Sequence, residues 1–196
     1  MKIITFGTRK GGAGKTALTF NAAGVLAENH RVLLMDFDPQ VNLTGNVGLD
    51  TTIQDAPCIL DIFQNHKTAD PRSVITRSPI PELPNLDIIA GHLDMEDMEM
   101  QLVSKPAREF VIQRWIQANR RYLEQYDYIL CDTNPSTGLI NQNAFVAADS
   151  ARQVFPAVLF GRSLLRFCSA RRWKPWRIPV IMRLHCPVCP HLTTVS

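Results

Sequence analysis

The stretch Thr8-Arg9-Lys10-Gly11-Gly12-Ala13-Gly14-Lys15-Thr16 carries two lysines five positions apart on one glycine-rich loop. Gly11, Gly12 and Gly14 let the backbone approach an anion closely and turn its N–H groups inward. The helix expected after them adds the partial positive charge of its N-terminus. Lys15 supplies a full charge to the β- and γ-phosphates of a nucleotide, and the Thr16 hydroxyl is placed to ligate Mg²⁺. The candidate phosphate-binding set is Gly11, Gly12, Ala13, Gly14, Lys15, Thr16 and Ala17. The plain alternative is a glycine turn with a surface lysine. A strand before the loop, a helix after it and Lys-Thr at the junction weigh against that alternative.

Two carboxylates end apolar runs. Asp36 closes RVLLMD, Arg31 to Asp36, where it can hold a Mg²⁺-bound water. Asp132 closes YDYILCD, Tyr126 to Asp132, and a carboxylate at the end of a buried strand needs a partner. Mg²⁺ prefers oxygen ligands and keeps part of its hydration shell, so Asp132 suits holding the metal through water. The competing reading is that both acids cap the turns after them. His30, His66 and His92 lie far apart with no ligand-like spacing and receive no role.

The elements that must position these residues alternate. KIITF, Lys2 to Phe6, predicts a strand; Thr16 to Ala27 has helical apolar spacing; Arg31 to Asp36 reads as a buried strand. Further helices are expected at Ile59 to Asn65, Leu93 to Val103, Pro106 to Tyr126 and Gly138 to Ala148, with strands at Leu86 to Ala90 and Tyr126 to Asp132. Such alternation predicts an α/β fold with a mostly parallel central sheet flanked by helices, ligands sitting beyond the C-terminal strand edge. The methionines of MEDMEM, Met95 to Met100, read as a half-buried helix face, and Arg114, Arg120 and Arg121 as a solvated one.

At 196 residues, 45% hydrophobic and 20% charged, the chain can bury a real core. It contains no run of 18 apolar residues and no signal-peptide pattern, so a cytoplasmic setting with reduced cysteines is expected. The net charge of +3 conceals a break near Ser150. Residues 1–150 hold 13 Lys+Arg and all 18 Asp+Glu, whereas residues 151–196 hold 8 Lys+Arg and no acid. The expected organisation is a core over 1–150 and a separate basic, Pro- and Cys-containing tail over 151–196.

The ordinary phosphate-loop pattern G-x-x-x-x-G-K-[ST] fails at its first position, because Arg9 stands six residues before Lys15. KGGAGKT instead resembles the deviant Walker A loop K-G-G-x-G-K-[ST] of the ParA/MinD class of ATPases. DFDPQVNLTGNVG, Asp36 to Gly48, resembles the D-x-D-P-Q-x-N-x-T segment of the ParA/Soj branch, and YDYILCDTNPSTGLINQNAFVAAD its Walker B region. Three motifs stand in the right order over about three-quarters of the chain. The resemblance implies a P-loop NTPase fold of the deviant Walker A type, with ATP and Mg²⁺ as cofactors. It assigns Lys15 to the nucleotide of its own subunit, Lys10 to the nucleotide of a partner across an ATP-dependent homodimer in the manner of an arginine finger, and Asp38 to the attacking water. Thr16, Asp36 and Asp132 form the implied metal set. Plasmid or chromosome partitioning is the implied function, with nonspecific DNA binding, association with the nucleoid and stimulation by a ParB-like centromere-binding protein. A MinD-like membrane role is disfavoured by Asp38-Pro39-Gln40 and by the lack of an amphipathic C-terminal helix. The chain reaches its first strand at once, as in the short, Soj-like members.

Two departures matter. Where the family commonly shows D-T-P-P, this chain has Asp132-Thr133-Asn134-Pro135, which loosens a rigid turn near the γ-phosphate and makes switching rather than binding the property affected. Past Ser150 neither acids nor family resemblance continue, which motivates the hypothesis of a reading-frame change near codon 150. The alternative function is accordingly a truncated nucleotide-binding protein lacking full ATPase and DNA-binding activity. In the tail, a strand is conceivable at Ala157 to Phe160 and a helix at Ser163 to Ala170, with prolines interrupting anything longer. Cys186 and Cys189 with His185 and His191 give half of a zinc site, a pattern that out-of-frame sequence also produces by chance.

Overall fold

The computed structural model describes residues 1–8, 11–50, 53 and 56–153. Arg9, Lys10 and everything from Val154 onward, including the strand and helix considered for the tail and the Cys186/Cys189 segment, lie outside the described residues. The chain divides into two units, Met1–Leu159 and Phe160–Ser196, and all described residues belong to the first.

Its elements run β1 (Lys2–Gly7), α1 (Lys15–Ala27), β2 (Val32–Phe37), α2 (Asn42–Asn46), α3 (Ile59–Asn65), α4 (Pro71–Val74), β3 (Leu86–Ile89), α5 (Met95–Leu102), a 3₁₀ turn (Arg108–Phe110), α6 (Val111–Ala118), α7 (Arg120–Leu123), β4 (Tyr128–Thr133), α8 (Leu139–Ala147) and β5 (Ser150–Gln153). The five strands form one sheet in the order β3-β2-β4-β1-β5, every neighbouring pair parallel. This is the α/β arrangement expected from the alternation of strand and helix patterns. Parallel strands are covered on both faces, which is why VLLMDF of β2 is buried at every position.

The period of two sorts the core. Leu33, Met35, Ile129 and Cys131 face a cluster built with α3, α5, α6 and α8. Val32, Leu34 and Leu130 face the other cluster, which includes Ala23 and Ala27 of α1 and Leu43 of α2. By the same alternation, Asp36 and Asp132 fall on the α1 side. They are register partners, Asp36↔Asp132, and Phe6 of β1 pairs with Asp132 from the opposite edge.

Several boundaries differ from the sequence reading. The helix expected over Pro106 to Tyr126 is broken into the 3₁₀ turn, α6 and α7. Ala107 takes φ 51° before the turn. Asn119 leaves helical dihedrals at φ −104°, ψ 16°, its Nδ2 donating to Trp115 O at 3.0 Å in competition with the backbone. Helices α2 and α4 went unread because each is only one turn long, although Asp70, accepting from Arg72 N at 2.9 Å ahead of Pro71, is a legible start signal. SARQ of β5 has no strand-like apolar pattern; it is a strand because β1 offers a ladder, Ile4↔Ser150 to Gly7↔Gln153. The ordered sheet therefore crosses the composition break at Ser150. The methionine reading holds: Met95 and Met98 are buried and Met100 is exposed. Arg120 and Arg121 lie on the solvent side of α7, with Arg120 paired to Glu124 at 2.9 Å. Among the described residues, no helix is long and apolar enough to cross a membrane.

Trp115 anchors the α6 side, fully buried with Nε1 donating to Ala69 O at 2.8 Å. Truncation to alanine leaves a large cavity and an unpaired carbonyl. Trp115→Ala is expected to cost about 3–5 kcal/mol in urea unfolding, and a cost below ~1 kcal/mol would show that α6 is not part of the cooperative core.

Candidate phosphate-binding site

The glycine loop joins β1 to α1 at the C-terminal edge of the sheet. Gly12 and Gly14 have φ +67° and +80°, and an added Cβ would meet nothing within 4 Å at either position. Glycine is needed there for its left-handed backbone, not for space. Gly14 caps α1 without a side-chain bond, and the first turn contains no acidic residue. No anion of this turn's own competes for the field of the helix N-terminus. Lys15, Thr16 and Ala17 form that first turn, and Lys15 is buried to 7% exposure.

Four of the predicted groups meet beneath this loop. Thr19 Oγ1, one turn into α1, lies 2.9 Å from Lys15 O and 3.3 Å from Asp132 Oδ1. Burial pushes the Asp132 carboxyl up to about 6; the Thr16 hydroxyl and the Lys15 charge act to lower it, while Asp38 raises it. Asp132 Oδ2 is buried and has no hydrogen-bond partner among the described residues. An open carboxylate oxygen beside a lysine and a threonine hydroxyl fits a hydrated Mg²⁺. Thr16 and Asp132 are the residues that would hold such an ion. Among the described residues, no three His, Cys, Asp or Glu side chains cluster as a metal site by themselves, so phosphate and water oxygens would have to complete the shell.

Asp36 is differently engaged. It is fully buried, its Oδ1 accepts from Asp38 N at 3.1 Å, and its Oδ2 accepts from Thr44 N at 3.0 Å and Thr44 Oγ1 at 2.7 Å. Burial pushes its carboxyl up to about 7, with the Asp132 charge adding to the rise and the Thr44 bond opposing it. The Thr44 hydroxyl also accepts from Gly91 N at 2.8 Å, so it bolts α2 to the ends of both β2 and β3. A Cβ on Gly91 would crowd the carboxyl, sitting 3.0 Å from Asp36 Cγ, so a side chain there would have to push Asp36 or Met95 aside. Asp38 is 8% exposed, and its Oδ1 accepts from Gln40 N at 2.9 Å, holding the turn in which Val41 takes φ 49°. The sequence motif contains Thr44 without showing what it does, and it gives no sign of Thr19 at all. Thr19 stands one turn after Lys15, a spacing that signals a shared helix face.

Lys10, the lysine assigned to a partner subunit, lies outside the described residues. Beyond Asp132 the loop turns through Asn134, whose carbonyl and side chain accept from Asn141 Nδ2 of α8 at 3.0 and 2.5 Å. The turn is thus tied down by side chains in place of a second proline.

Fold and loop together define a P-loop NTPase of the deviant Walker A type. A family model described as an AAA domain matches residues 1–156. The sporulation initiation inhibitor protein Soj of Bacillus subtilis is 36% identical over 76% of this chain and 56% of its own length. The chromosome partitioning protein ParA of Caulobacter vibrioides is 31% identical over 76% of this chain and 54% of its own. Among solved structures, a plasmid partition protein from Borrelia burgdorferi superposes with a TM-score of 0.62 at 28% identity, covering 78% of this chain and 63% of that one. The chain belongs to this AAA-domain family and is similar over its first three-quarters to the Soj and ParA proteins. It spans about half the length of the curated relatives it matches.

Asp36 and Asp132 both bind a proton more tightly in the folded protein than the ordinary carboxylate value of 3.8. The folded form therefore holds extra protons between about pH 4 and 7, and stability contributed by this pair falls as pH rises through that window. Thermal melts of the metal-free protein should show this decline, flattened in Asp132→Asn; an unchanged slope in that variant would assign the effect elsewhere. Thr44→Val, which strips a buried hydroxyl from Asp36 and Gly91, should cost roughly 1–3 kcal/mol in denaturant unfolding.

Proposed function

We infer that the chain binds Mg-ATP and hydrolyses it as a dimerising ATPase of plasmid or chromosome partitioning. The observation that carries this is the open Oδ2 of Asp132 directly beneath a helix N-terminus flanked by Lys15 and Thr16. A cationic backbone nest above and a carboxylate below make a site for a phosphate chain bridged to a cation.

The division of labour is the one the family resemblance implies, and the placement of Lys15, Thr16, Asp36, Asp38 and Asp132 around one strand edge supports it. Gly11, Gly12, Ala13 and Gly14 offer backbone N–H groups, together with the first-turn amides of Lys15, Thr16 and Ala17. Lys15 neutralises the β- and γ-phosphates. When bound, Mg²⁺ would supply charge neutralisation to those phosphates; Thr16 and Asp132 would hold it, and Asp36 would hold one of its waters. Asp38, held by its own turn, orients the attacking water. Lys10 completes the charge on the partner's nucleotide across a homodimer. The dimer binds DNA without sequence preference, and a ParB-like protein at a centromere-like site stimulates turnover, placing the protein in the cytoplasm at the nucleoid.

The loss of acids and of family resemblance past Ser150 supports one competing reading, a protein that binds nucleotide without full ATPase or DNA-binding activity. Fluorescent ATP-analogue binding in Mg²⁺ separates the readings when combined with ATPase assays with DNA. Lys15→Ala should weaken binding roughly ten- to hundredfold, as loss of a charge-assisted contact does. Asp38→Ala should bind ATP, hydrolyse none and accumulate as dimer in light scattering. Wild-type binding without DNA-stimulated turnover would favour the second reading, and a strict Asp38→Ala monomer would leave Lys10 without its target.

A further inference from the structure

Asn141, in the first turn of α8, is 1% exposed, and the two ends of its amide have opposite surroundings. Nδ2 lies 2.5 Å from Asn134 Oδ1, 2.8 Å from Ser136 O, 3.0 Å from Asn134 O and 3.5 Å from Ser136 Oγ. An amide nitrogen has two hydrogens, so four oxygens compete for two donors. Turning the amide over would aim its carbonyl oxygen at acceptors, which fixes its orientation. Oδ1, by contrast, is buried with no hydrogen-bond partner among the described residues. An orphaned acceptor of this kind calls for a reason other than local stability.

The loop that Asn141 holds leaves β4 just after Asp132 and Thr133 and ends where α8 begins. It leans on the glycine loop: a Cβ on Gly11 would sit 4.0 Å from Pro135 Cγ. Its far end is held from α5, where Glu99 Oε1 accepts from Leu139 N. One side of the phosphate site is the glycine loop and α1; this segment is the wall facing it. On the nucleotide-binding reading above, a segment that leaves the strand end carrying Asp132 and stands against Gly11 would border the outer end of a bound phosphate chain. Asn134 precedes a proline, which biases it toward extended backbone and leaves its side chain free to reach Asn141.

We propose that Asn141 is a positioning residue that, by gripping Asn134 and Ser136, holds the loop after β4 as the wall of the terminal-phosphate position and so sets the preference for nucleoside triphosphate over diphosphate. This rests on the nucleotide-binding reading above. Asn141 touches no phosphate itself; it acts through the loop. Losing the grip releases the wall on the outer side only, so diphosphate, held by the glycine loop and Lys15, is little affected.

The test uses the full chain. Dissociation constants for Mg-ATPγS and Mg-ADP are measured for wild type, Asn141→Ala, Asn134→Ala and the double variant, with amide exchange of residues 133–139 followed without nucleotide. In Asn141→Ala the loop should exchange faster while residues 112–118 of α6 do not, and the ATPγS-to-ADP preference should fall roughly five- to tenfold. Asn134→Ala should lose part of this, and the double variant should be no worse than Asn141→Ala, because both remove one contact. Equal weakening of both nucleotides, or unchanged loop exchange, would overturn the proposal. If Asn141→Ala does not fold, half-buried Asn134→Ala carries the test, and an unchanged preference there overturns it equally. A wild-type chain that binds neither nucleotide removes the nucleotide reading and this one together; variants that bind both with the wild-type ratio remove only the role of Asn141.

Discussion

The parallel pairing of β4 between β1 and β2 is the constraint on which the rest of the site depends. Registers Phe6↔Asp132 and Asp36↔Asp132 bring the ends of three strands, distant in sequence, to one line at the sheet edge. The connection from β1 to β2 must then cross β4, and α1 makes that crossing, packed on β4 with its N-terminus over Asp132. A shift of β4 by one residue would turn Asp132 to the opposite face and leave the helix terminus over Cys131. The hydrogen-bond ladder, more than any side-chain contact, aims the carboxylate at the glycine loop.

That arrangement has an electrostatic consequence. Above stand the unsatisfied N–H groups of the first turn of α1 and the Lys15 ammonium; below stand Asp36, Asp38 and Asp132, each under 9% exposed. Burial raises the carboxyls of Asp36 and Asp132, so keeping these acids where water cannot solvate them opposes folding. Thr44 and the Asp38 amide offset part of that cost for Asp36, whereas one oxygen of Asp132 has no such offset within the described residues. A buried carboxylate oxygen left open in this way suits a ligand that brings its own positive charge.

Two side-chain junctions transmit strand geometry to the loops. Thr44 joins β2, α2 and the end of β3 through Asp36 and Gly91. Asn141 and Glu99 tie the segment after β4 to α8 and α5. Both junctions lie at the C-terminal sheet edge, where backbone groups no longer have a neighbouring strand to satisfy them, so side chains take over that role. The far edge has its own polar centre. There, buried Asp87 accepts from Tyr126 Oη at 2.6 Å and Ser78 N at 3.0 Å, with Arg31 and Arg77 within 3.6 Å. Its acceptors are filled, which suits a structural role and contrasts with Asp132.

Sequence by itself determined the strand and helix alternation, the chemistry of the glycine loop and the identity of Lys15, Thr16, Asp36 and Asp132 as candidates, with Asp38 added only by the family resemblance, because periodicity and local motif spacing are written in neighbouring residues. It also carried the ParA/Soj likeness through three motifs in order. It did not reveal β5, whose Ser-Ala-Arg-Gln owes its conformation to the open edge of β1, or the break at Asn119, where a side chain outcompetes the helix. Nor did it show Thr19, Thr44 and Asn141 as parts of the site. Their meaning depends on partners 113, 47 and 7 residues away. Only the tertiary structure decided which carboxylate is open and which is engaged, because that depends on how parallel strands far apart in the chain align their ends.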